Sequence, residues 1–263
     1  MKAKINGCEM YYEVHGSGEP VLLVHGFPLS GRMWEPVVDG LAGTHRLIIP
    51  DLRGLGRSAA TAETTMAEYV DDLVGLLRTI GERRPVVLVG HSMGGYVAFE
   101  FVRNRREWLR GLVLTCTRAA ADSEEAARGR EETAATVLRD GSKAIADSMI
   151  DNLFAPTAAD GLRDTWRGIM AATAPVGAAA ALIAMKNRSD SNSTLGQIEL
   201  PTLLVAGRED VISPPDEVCR IHEGIAGSRF EVIERAGHMA PLEQPVRFVE
   251  LLRSFLDDLA AAG

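Results

Sequence analysis

Six short apolar runs, which alternate with segments of helical periodicity, restrict the fold of this chain more than any other feature. Most of the runs are apolar on both faces, as is typical of parallel strands that helices cover on each side. The runs are Val21–Val24, Leu47–Ile49, Val86–Val89, Leu112–Leu114, Leu203–Val205 and Phe230–Ile233. Strand and helix in alternation predict an α/β fold with a doubly wound, mostly parallel sheet.

Two helices are predicted with identifiable starts. Apolar residues recur at helical spacing over Met66–Ile80, and the segment Thr65–Glu68 has the pattern of a capping box. Near the C-terminus, Pro245 precedes the amphipathic stripe Phe248–Leu259, which places a proline near the helix start. We expect the apolar sides of both helices to belong to the core.

The alternation stops once, over residues 118–200, where no convincing strand run occurs. Four short helices are plausible in that part of the chain. They are Glu124–Leu138, Lys143–Leu153, Ala158–Met170 and Val176–Met185. The polar segment Asp190–Thr194 is interpreted as a return loop. We expect residues 1–117 and 201–263 to form the core, and residues 118–200 to form a helical lid, or cap, over the edge of the sheet where ligands bind in open α/β folds.

The composition limits the classes of partner. The 263 residues include 28 basic and 36 acidic side chains, for a net charge of −8. No run of Lys and Arg resembles a phosphate-binding patch, so a nucleic-acid partner is not expected. No apolar stretch approaches the roughly 18 residues of a membrane helix. The N-terminus turns polar too early for a signal peptide.

The cysteine content predicts a reducing compartment. The chain has three cysteines, Cys8, Cys116 and Cys219, and an odd, sparse set fits buried thiols better than a disulfide framework. We therefore expect a cytoplasmic protein. We also expect a monomer or a small homo-oligomer with no membrane partner.

The segment Gly90–Gly94 carries the sharpest motif, with the pattern Gly-x-Ser-x-Gly around Ser92. It follows a predicted strand and leads into a segment that can start a helix, which is the context of a nucleophile elbow. Such a turn forces the serine into a strained backbone conformation, and side chains at Gly90 and Gly94 would collide with it. Because the strain exposes the Ser92 hydroxyl at the end of the sheet, Ser92 is the candidate nucleophile.

A serine hydroxyl needs a neighbouring base, and His238 is the candidate among six histidines. It lies after the last predicted strand, at the same edge of the sheet as the elbow, whereas His25 and His91 are interpreted as loop scaffolding. Asp210 follows the preceding strand and would orient the imidazole and stabilise its charged form. The adjacent Glu209 remains an alternative, since neighbouring side chains point in different directions and only one of them should face the base.

Two backbone N–H groups are candidates for an oxyanion hole. Met93 follows the candidate nucleophile, and the elbow would supply its N–H. The segment His25–Pro28, with the loop glycine Gly26, follows the first apolar run. Because Pro28 has no N–H, Phe27 is the natural second donor.

These motifs together resemble the α/β-hydrolase superfamily across essentially the whole chain outside the predicted lid. They are His25–Pro28, Asp51–Ser58, Gly90–Gly95, Asp210 and Gly237–His238. Within the superfamily the chain resembles the small lidded serine esterases that are grouped with cofactor-free haloperoxidases (perhydrolases) and 3-oxoadipate enol-lactonases. The resemblance implies the α/β-hydrolase fold with a helical lid inserted after the sixth strand, and it implies that Asp51–Ser58 is a structural loop.

The resemblance also implies roles for single residues. Ser92 would be the nucleophile, His238 the base and Asp210 the acid, with Phe27 and Met93 as oxyanion donors. No cofactor is implied, and the expected partner is a small-molecule ester or lactone substrate. Hydrolysis through an acyl-enzyme is the leading hypothesis. Transfer of the same acyl group to hydrogen peroxide is the alternative, and a non-catalytic small-molecule receptor of the same fold is a third.

Two weaker motifs do not predict a cofactor or a metal. The segment Gly54–Ala59 approximates a dinucleotide-binding loop, but the nearest predicted helix starts only at Met66. The pair His222 and Glu223 begins like a zinc-protease motif, but Ala226 occupies the position of the second histidine.

Overall fold

The six predicted strands pair within one eight-stranded sheet in the computed structural model, which describes residues 1–262. The strands are β1 (Lys2–Ile5), β2 (Cys8–His15), β3 (Glu19–Val24), β4 (His45–Pro50), β5 (Val86–His91), β6 (Leu109–Thr115), β7 (Thr202–Gly207) and β8 (Arg229–Ile233). They lie in the order β1-β2-β4-β3-β5-β6-β7-β8. The β1–β2 and β2–β4 pairs are antiparallel, and the other neighbouring pairs are parallel. The prediction of a mostly parallel α/β sheet is confirmed.

The prediction omits β1 and β2, because it depends on runs that are apolar on both faces. In β2, Cys8 and Met10 are buried, whereas Glu9 between them is exposed. Antiparallel strands can leave one face in water, so their apolar residues alternate with polar ones instead of forming a continuous run.

Helices cover both faces of the sheet. The α-helices are α1 (Glu35–Leu41), α2 (Met66–Thr79), α3 (Met93–Arg105), α4 (Glu124–Asp140), α5 (Ser142–Leu153), α6 (Asp160–Ala171), α7 (Pro175–Lys186), α8 (Pro215–Gly224), α9 (Ala240–Glu243) and α10 (Pro245–Ala262). Leu22 and Leu23, adjacent in β3, are both fully buried. Leu22 lies in the apolar cluster that contains Leu73 of α2, and Leu23 lies in the one that contains Phe248 of α10. The sheet is therefore doubly wound, as predicted.

The predicted starts of α2 and α10 are confirmed. The Thr65 hydroxyl accepts a hydrogen bond from the Glu68 N–H at 3.0 Å, so Thr65 is the N-cap of α2. α10 begins at Pro245, and Gly263, the last residue of the predicted core, lies outside the described residues.

Residues 118–200, named here the inserted segment, follow β6 and contain α4 to α7. Each of the four predicted helices is present, with ends that differ by at most two residues from the prediction. The predicted loop Asp190–Thr194 is wrong in its second half, because Asn192–Gln197 forms a 3-10 helix. The Asp190 carboxylate accepts the N–H of Asn192 at 2.9 Å, and Leu195 anchors the turn in the core. That residues 118–200 act as a lid remains a prediction.

Within residues 1–262, no single helix has both the length and the apolar character that crossing a membrane would require. One pair of helices, Gly161–Ala171 and Pro175–Lys186, satisfies both criteria only when the two are taken together, and they are bent by 96°.

The inserted segment contacts the core where two glycines meet. A Cβ atom on Gly177, near the start of α7, would lie 1.9 Å from the carbonyl oxygen of Gly54 in the loop after β4. Close by, the Thr173 hydroxyl donates to the carbonyl oxygen of Pro28 in the loop after β3, at 3.4 Å. The start of α7 is therefore fitted against the two loops that leave the centre of the sheet.

We predict that Gly177→Ala lowers the free energy of unfolding by about 1–3 kcal/mol, because the added methyl group must displace the Gly54 backbone. Gly129→Ala is the matched control. Gly129 lies in α4, and a Cβ atom added there would have no neighbouring atom within 4 Å, so this change should stabilise the protein by about 1 kcal/mol through helix propensity. Urea unfolding measures both values, and equal stabilities of the two variants would contradict the contact.

Candidate active site

Ser92 occupies a strained turn between β5 and α3. Its backbone has φ +53° and ψ −113°, a left-handed conformation that non-glycine residues seldom adopt. A Cβ atom on Gly90 would lie 2.4 Å from the carbonyl oxygen of Gly94, and one on Gly94 would lie 2.4 Å from that of Val24. Only glycine fits at either position, so the turn depends on both.

The end of β6 holds this turn from the side. The N–H of Ser92 donates to the carbonyl oxygen of Thr115 at 2.9 Å, and the hydroxyl of Thr117 donates to the carbonyl oxygen of Ser92 at 2.8 Å. Gly95 makes room for Thr117, since a Cβ atom there would lie 2.3 Å from the threonine hydroxyl. Sequence analysis did not identify these threonines, because no local motif marks a contact between the elbow and the end of a neighbouring strand.

The structure brings Ser92, His238 and Asp210 together from three separate loops. His238 Nε2 lies 2.8 Å from Ser92 Oγ, and His238 Nδ1 lies 2.8 Å from Asp210 Oδ2. His238 and Asp210 are 2% and 3% exposed, so water does not compete for these contacts. With Nδ1 donating to the carboxylate, Nε2 presents its lone pair to the serine hydroxyl.

Asp210, and not Glu209, contacts the imidazole. Asp210 Oδ1 accepts the N–H groups of Ile212 and Ser213 at 2.8 and 2.9 Å, which leaves Oδ2 for His238. These bonds fix the carboxylate in one orientation. Glu209 contributes its backbone N–H to the neighbouring loop, where it donates to the carbonyl oxygen of Ala236 at 2.8 Å.

The loop that carries Phe27 lies directly against the elbow. A Cβ atom on Gly26 would lie 2.9 Å from the His91 ring and 3.1 Å from Ser92 Cβ, so a side chain there would separate the two loops. Phe27 is buried at 6% exposure. Met93 is the first residue of α3, where the helix itself leaves backbone N–H groups unbonded.

A buried histidine and a buried aspartate hold the Phe27 loop in place. His25 Nε2 accepts the N–H of Leu52 at 2.9 Å and its Nδ1 donates to the carbonyl oxygen of Gly26 at 2.7 Å, which identifies a neutral ring. Asp51 accepts the N–H of Gly31 at 2.7 Å. The loop that begins at Asp51 therefore braces the loop after β3, which is a structural role.

His91 lies against the candidate base without a hydrogen bond to it. It is the last residue of β5, not a loop residue as the sequence suggests, and its ring centroid lies 5.0 Å from that of His238. Burial, and then the nearby His238, lower the pKa of His91 well below its ordinary value. Burial also lowers the pKa of His25. Both rings therefore stay neutral, and that of His91 does so directly beside His238.

Cys116 is a further buried group at the site that sequence analysis did not assign. Its sulfur and the polar atoms of Asp210 and His238 all lie within 4.8 Å of one another, a grouping of ligand types that could suit a metal ion. Burial and the Asp210 carboxylate raise the pKa of the Cys116 thiol well above its usual value, which disfavours the thiolate that metals bind. Both ring nitrogens of His238 are also engaged. The donor set therefore does not fit a metal.

The chain is similar to proteins of known family and structure. A family model described as the alpha/beta hydrolase family matches residues 21–251. A thermophilic esterase from Thermogutta terrifontis, solved with malate bound, is 40% identical, with a TM-score of 0.95 and 98% of each chain covered. The enol-lactonase from Burkholderia xenovorans LB400 is 25% identical, with a TM-score of 0.89 over 98% of this chain and 100% of that chain. A bromoperoxidase from Bacillus anthracis is 28% identical, with a TM-score of 0.87 over 98% and 99%. Residues 21–251, which the family model matches, include every residue of the site described above.

Proposed function

This chain belongs to the alpha/beta hydrolase family, and from that premise we propose that it is a serine hydrolase that cleaves small carboxylic esters or lactones. The observation that carries the proposal is the pair of 2.8 Å contacts that His238 makes with Ser92 and with Asp210. A hydroxyl, an imidazole and a carboxylate in this arrangement form the set of groups that turns serine into a nucleophile at neutral pH.

In the first half of the reaction, Ser92 Oγ attacks the carbonyl carbon of the ester while His238 Nε2 takes its proton. Asp210 stabilises the imidazolium that forms and keeps Nδ1 protonated. The developing oxyanion is bound by the N–H groups of Phe27 and Met93, with the positive end of α3 beside it. His238 then gives its proton to the leaving alcohol oxygen, and the acyl group remains on Ser92.

In the second half, water takes the place of the alcohol. His238 removes a proton from the water. The water oxygen attacks the acyl carbon and forms a second tetrahedral intermediate in the same oxyanion hole. Collapse of that intermediate returns the proton to Ser92 Oγ and releases the carboxylic acid. Every proton is moved by a side chain of this protein, so the mechanism requires no cofactor.

The inserted segment favours modest apolar acyl groups. Phe154, Trp166 and Met170 are buried in the same apolar cluster as Met239, the neighbour of His238. This cluster makes the part of the inserted segment nearest His238 apolar, and apolar surface that a substrate buried there would contribute about 25 cal/mol per Å². The similar esterase and enol-lactonase support an ester or a lactone as the substrate.

We predict that Ser92→Ala lowers kcat for p-nitrophenyl butyrate by about 10⁴–10⁶-fold, because the triad acts as a unit. Ser148→Ala, at an exposed position of α5, removes the same atom and should leave the rate unchanged. Initial rates at saturating ester measure both variants. Equal rates for wild type and Ser92→Ala would refute the proposal, and wild type that binds esters but turns none over would favour a receptor.

The assignment of Asp210 as the acid is tested by replacing each of two adjacent acidic residues with its carboxamide. Asp210→Asn should lower kcat by about 10³–10⁴-fold, since an amide donor facing His238 stabilises the wrong tautomer. Glu209→Gln should change kcat by less than about threefold, because its side chain does not contact the imidazole. Steady-state rates decide between them, and the opposite ranking would transfer the role to Glu209.

A second candidate function keeps the acyl-enzyme and replaces water with hydrogen peroxide. The similar bromoperoxidase from Bacillus anthracis favours it. Attack of peroxide on the acyl-Ser92 carbonyl would release a peracid and free serine, with His238 as the base. We expect peracetic acid when ethyl acetate and peroxide are supplied together, and none with Ser92→Ala. Ester hydrolysis without measurable peracid at matched ester concentration would exclude this candidate.

A further inference from the structure

The position of His238 depends on two hydrogen bonds that flank it. His238 lies in the loop between β8 and α9. On one side, the N–H of Gly237 donates to Glu243 Oε1 at 2.8 Å. On the other side, the N–H of Met239 donates to the carbonyl oxygen of Leu153, the last residue of α5, at 3.0 Å. One flanking bond therefore leads to Glu243 and the other to the inserted segment.

The same carboxylate also binds the inserted segment. Glu243 Oε2 accepts the N–H of Ala155, in the turn between α5 and α6, at 2.7 Å. The carbonyl oxygen of Ala155 in turn accepts a hydrogen bond from Arg163 of α6 at 2.5 Å. Ala155 is thus held by α6 through its carbonyl and by Glu243 through its N–H, and Glu243 connects it to the residue before His238.

The backbone of the inserted segment touches the His238 loop at this point. A Cβ atom on Gly237 would lie 2.6 Å from the Ala155 nitrogen and 2.8 Å from the carbonyl carbon of Phe154. Burial raises the pKa of Glu243, whereas the N–H groups of Ala155, Gly237 and Met239 oppose that rise. The half-buried carboxylate is therefore stabilised by backbone donors on both sides of His238 and by one donor in the inserted segment. A shift of the turn at Ala155 would remove that last donor and disturb the donors beside His238.

We propose that Glu243 is a positioning residue that couples the docking of the inserted segment to the placement of His238. This inference rests on the proposed function, because its consequence is catalytic: the contact between His238 and Ser92 is complete only when Ala155 is docked. The inserted segment then acts on the reaction through the base as well as by covering the site. Hydrogen bonds to a carboxylate are stronger and more directional than neutral ones, which suits a coupling role.

The first test is Glu243→Gln. A glutamine keeps the size of the side chain, but its NH₂ group faces an N–H donor where an oxygen is required, so one of the two bonds is lost. We expect kcat for p-nitrophenyl butyrate to fall by about 10²-fold, as for a displacement of about 1 Å at a catalytic group, with KM changed by less than about threefold. Gln244→Ala is the matched control, since the Gln244 amide donates to the Arg235 carbonyl of the same loop at 2.9 Å and this hydrogen bond does not involve Ala155. It should keep the wild-type kcat.

The second test breaks the path at its far end. Arg163 lies in α6 and its side chain donates to the Ala155 carbonyl, so Arg163→Met removes this bond without changing a residue of the His238 loop. If both residues act through Ala155, the double variant should be no slower than the slower single variant, whereas independent effects would multiply. Hydrogen exchange of the peptides around Ala155 and around Gly237 should rise together in Glu243→Gln. Circular dichroism checks that each variant is folded, and Arg163→Met carries the test if Glu243→Gln is not.

The outcomes separate the inference from the proposed function. A wild-type kcat in Glu243→Gln or in Arg163→Met, or multiplied losses in the double variant, overturns the coupling while Ser92→Ala remains inactive. A rise in KM with an unchanged kcat also overturns the coupling, because a residue that positions the base acts on kcat. If Ser92→Ala is as active as wild type, the proposed function itself fails.

Discussion

The left-handed backbone at Ser92 is the constraint on which the rest of the site depends. Conformations of this kind cost about 1–3 kcal/mol and persist only where the surroundings enforce them. Here they are enforced by Gly90 and Gly94, which allow backbone to approach within contact distance, and by Thr117, which binds the serine carbonyl. The turn fixes the hydroxyl at the carboxyl edge of the sheet. The loops after β7 and β8 end at the same edge, so His238 and Asp210 can meet it there.

Burial then determines which groups near Ser92 can carry charge. His91 and His25 are enclosed and have lowered pKa values, so they remain neutral and do not compete with His238 for a proton or repel its charged form. The buried Asp210 carboxylate faces the imidazole and is held by two backbone N–H groups. In the proposed mechanism, the imidazolium therefore meets one fixed anion and the neutral ring of His91, an environment arranged before the substrate arrives.

Sequence alone predicted the parts of the molecule that are encoded locally. The buried parallel strands, the capped helix α2 and the elbow glycines each follow from a short pattern and its steric consequence. Strands β1 and β2 were missed because half-exposed antiparallel strands carry no continuous apolar run. Thr117, Cys116 and Glu243 were missed for another reason. Each of them contacts a segment that is distant in sequence, and no residue type or spacing indicates that the Glu243 carboxylate will bind Ala155 as well as the nearby Gly237.

The central claim is that Ser92 is the one activated nucleophile of this protein. Labelling with a fluorophosphonate, followed by mass spectrometry of the proteolytic peptides, tests it most directly, because such reagents phosphonylate a serine only where a base and an oxyanion hole assist the attack. The account predicts one adduct per chain, on the peptide that contains Ser92, and its loss when the protein is unfolded before labelling. An adduct on another residue, or an unlabelled Ser92 in folded protein, would contradict the account.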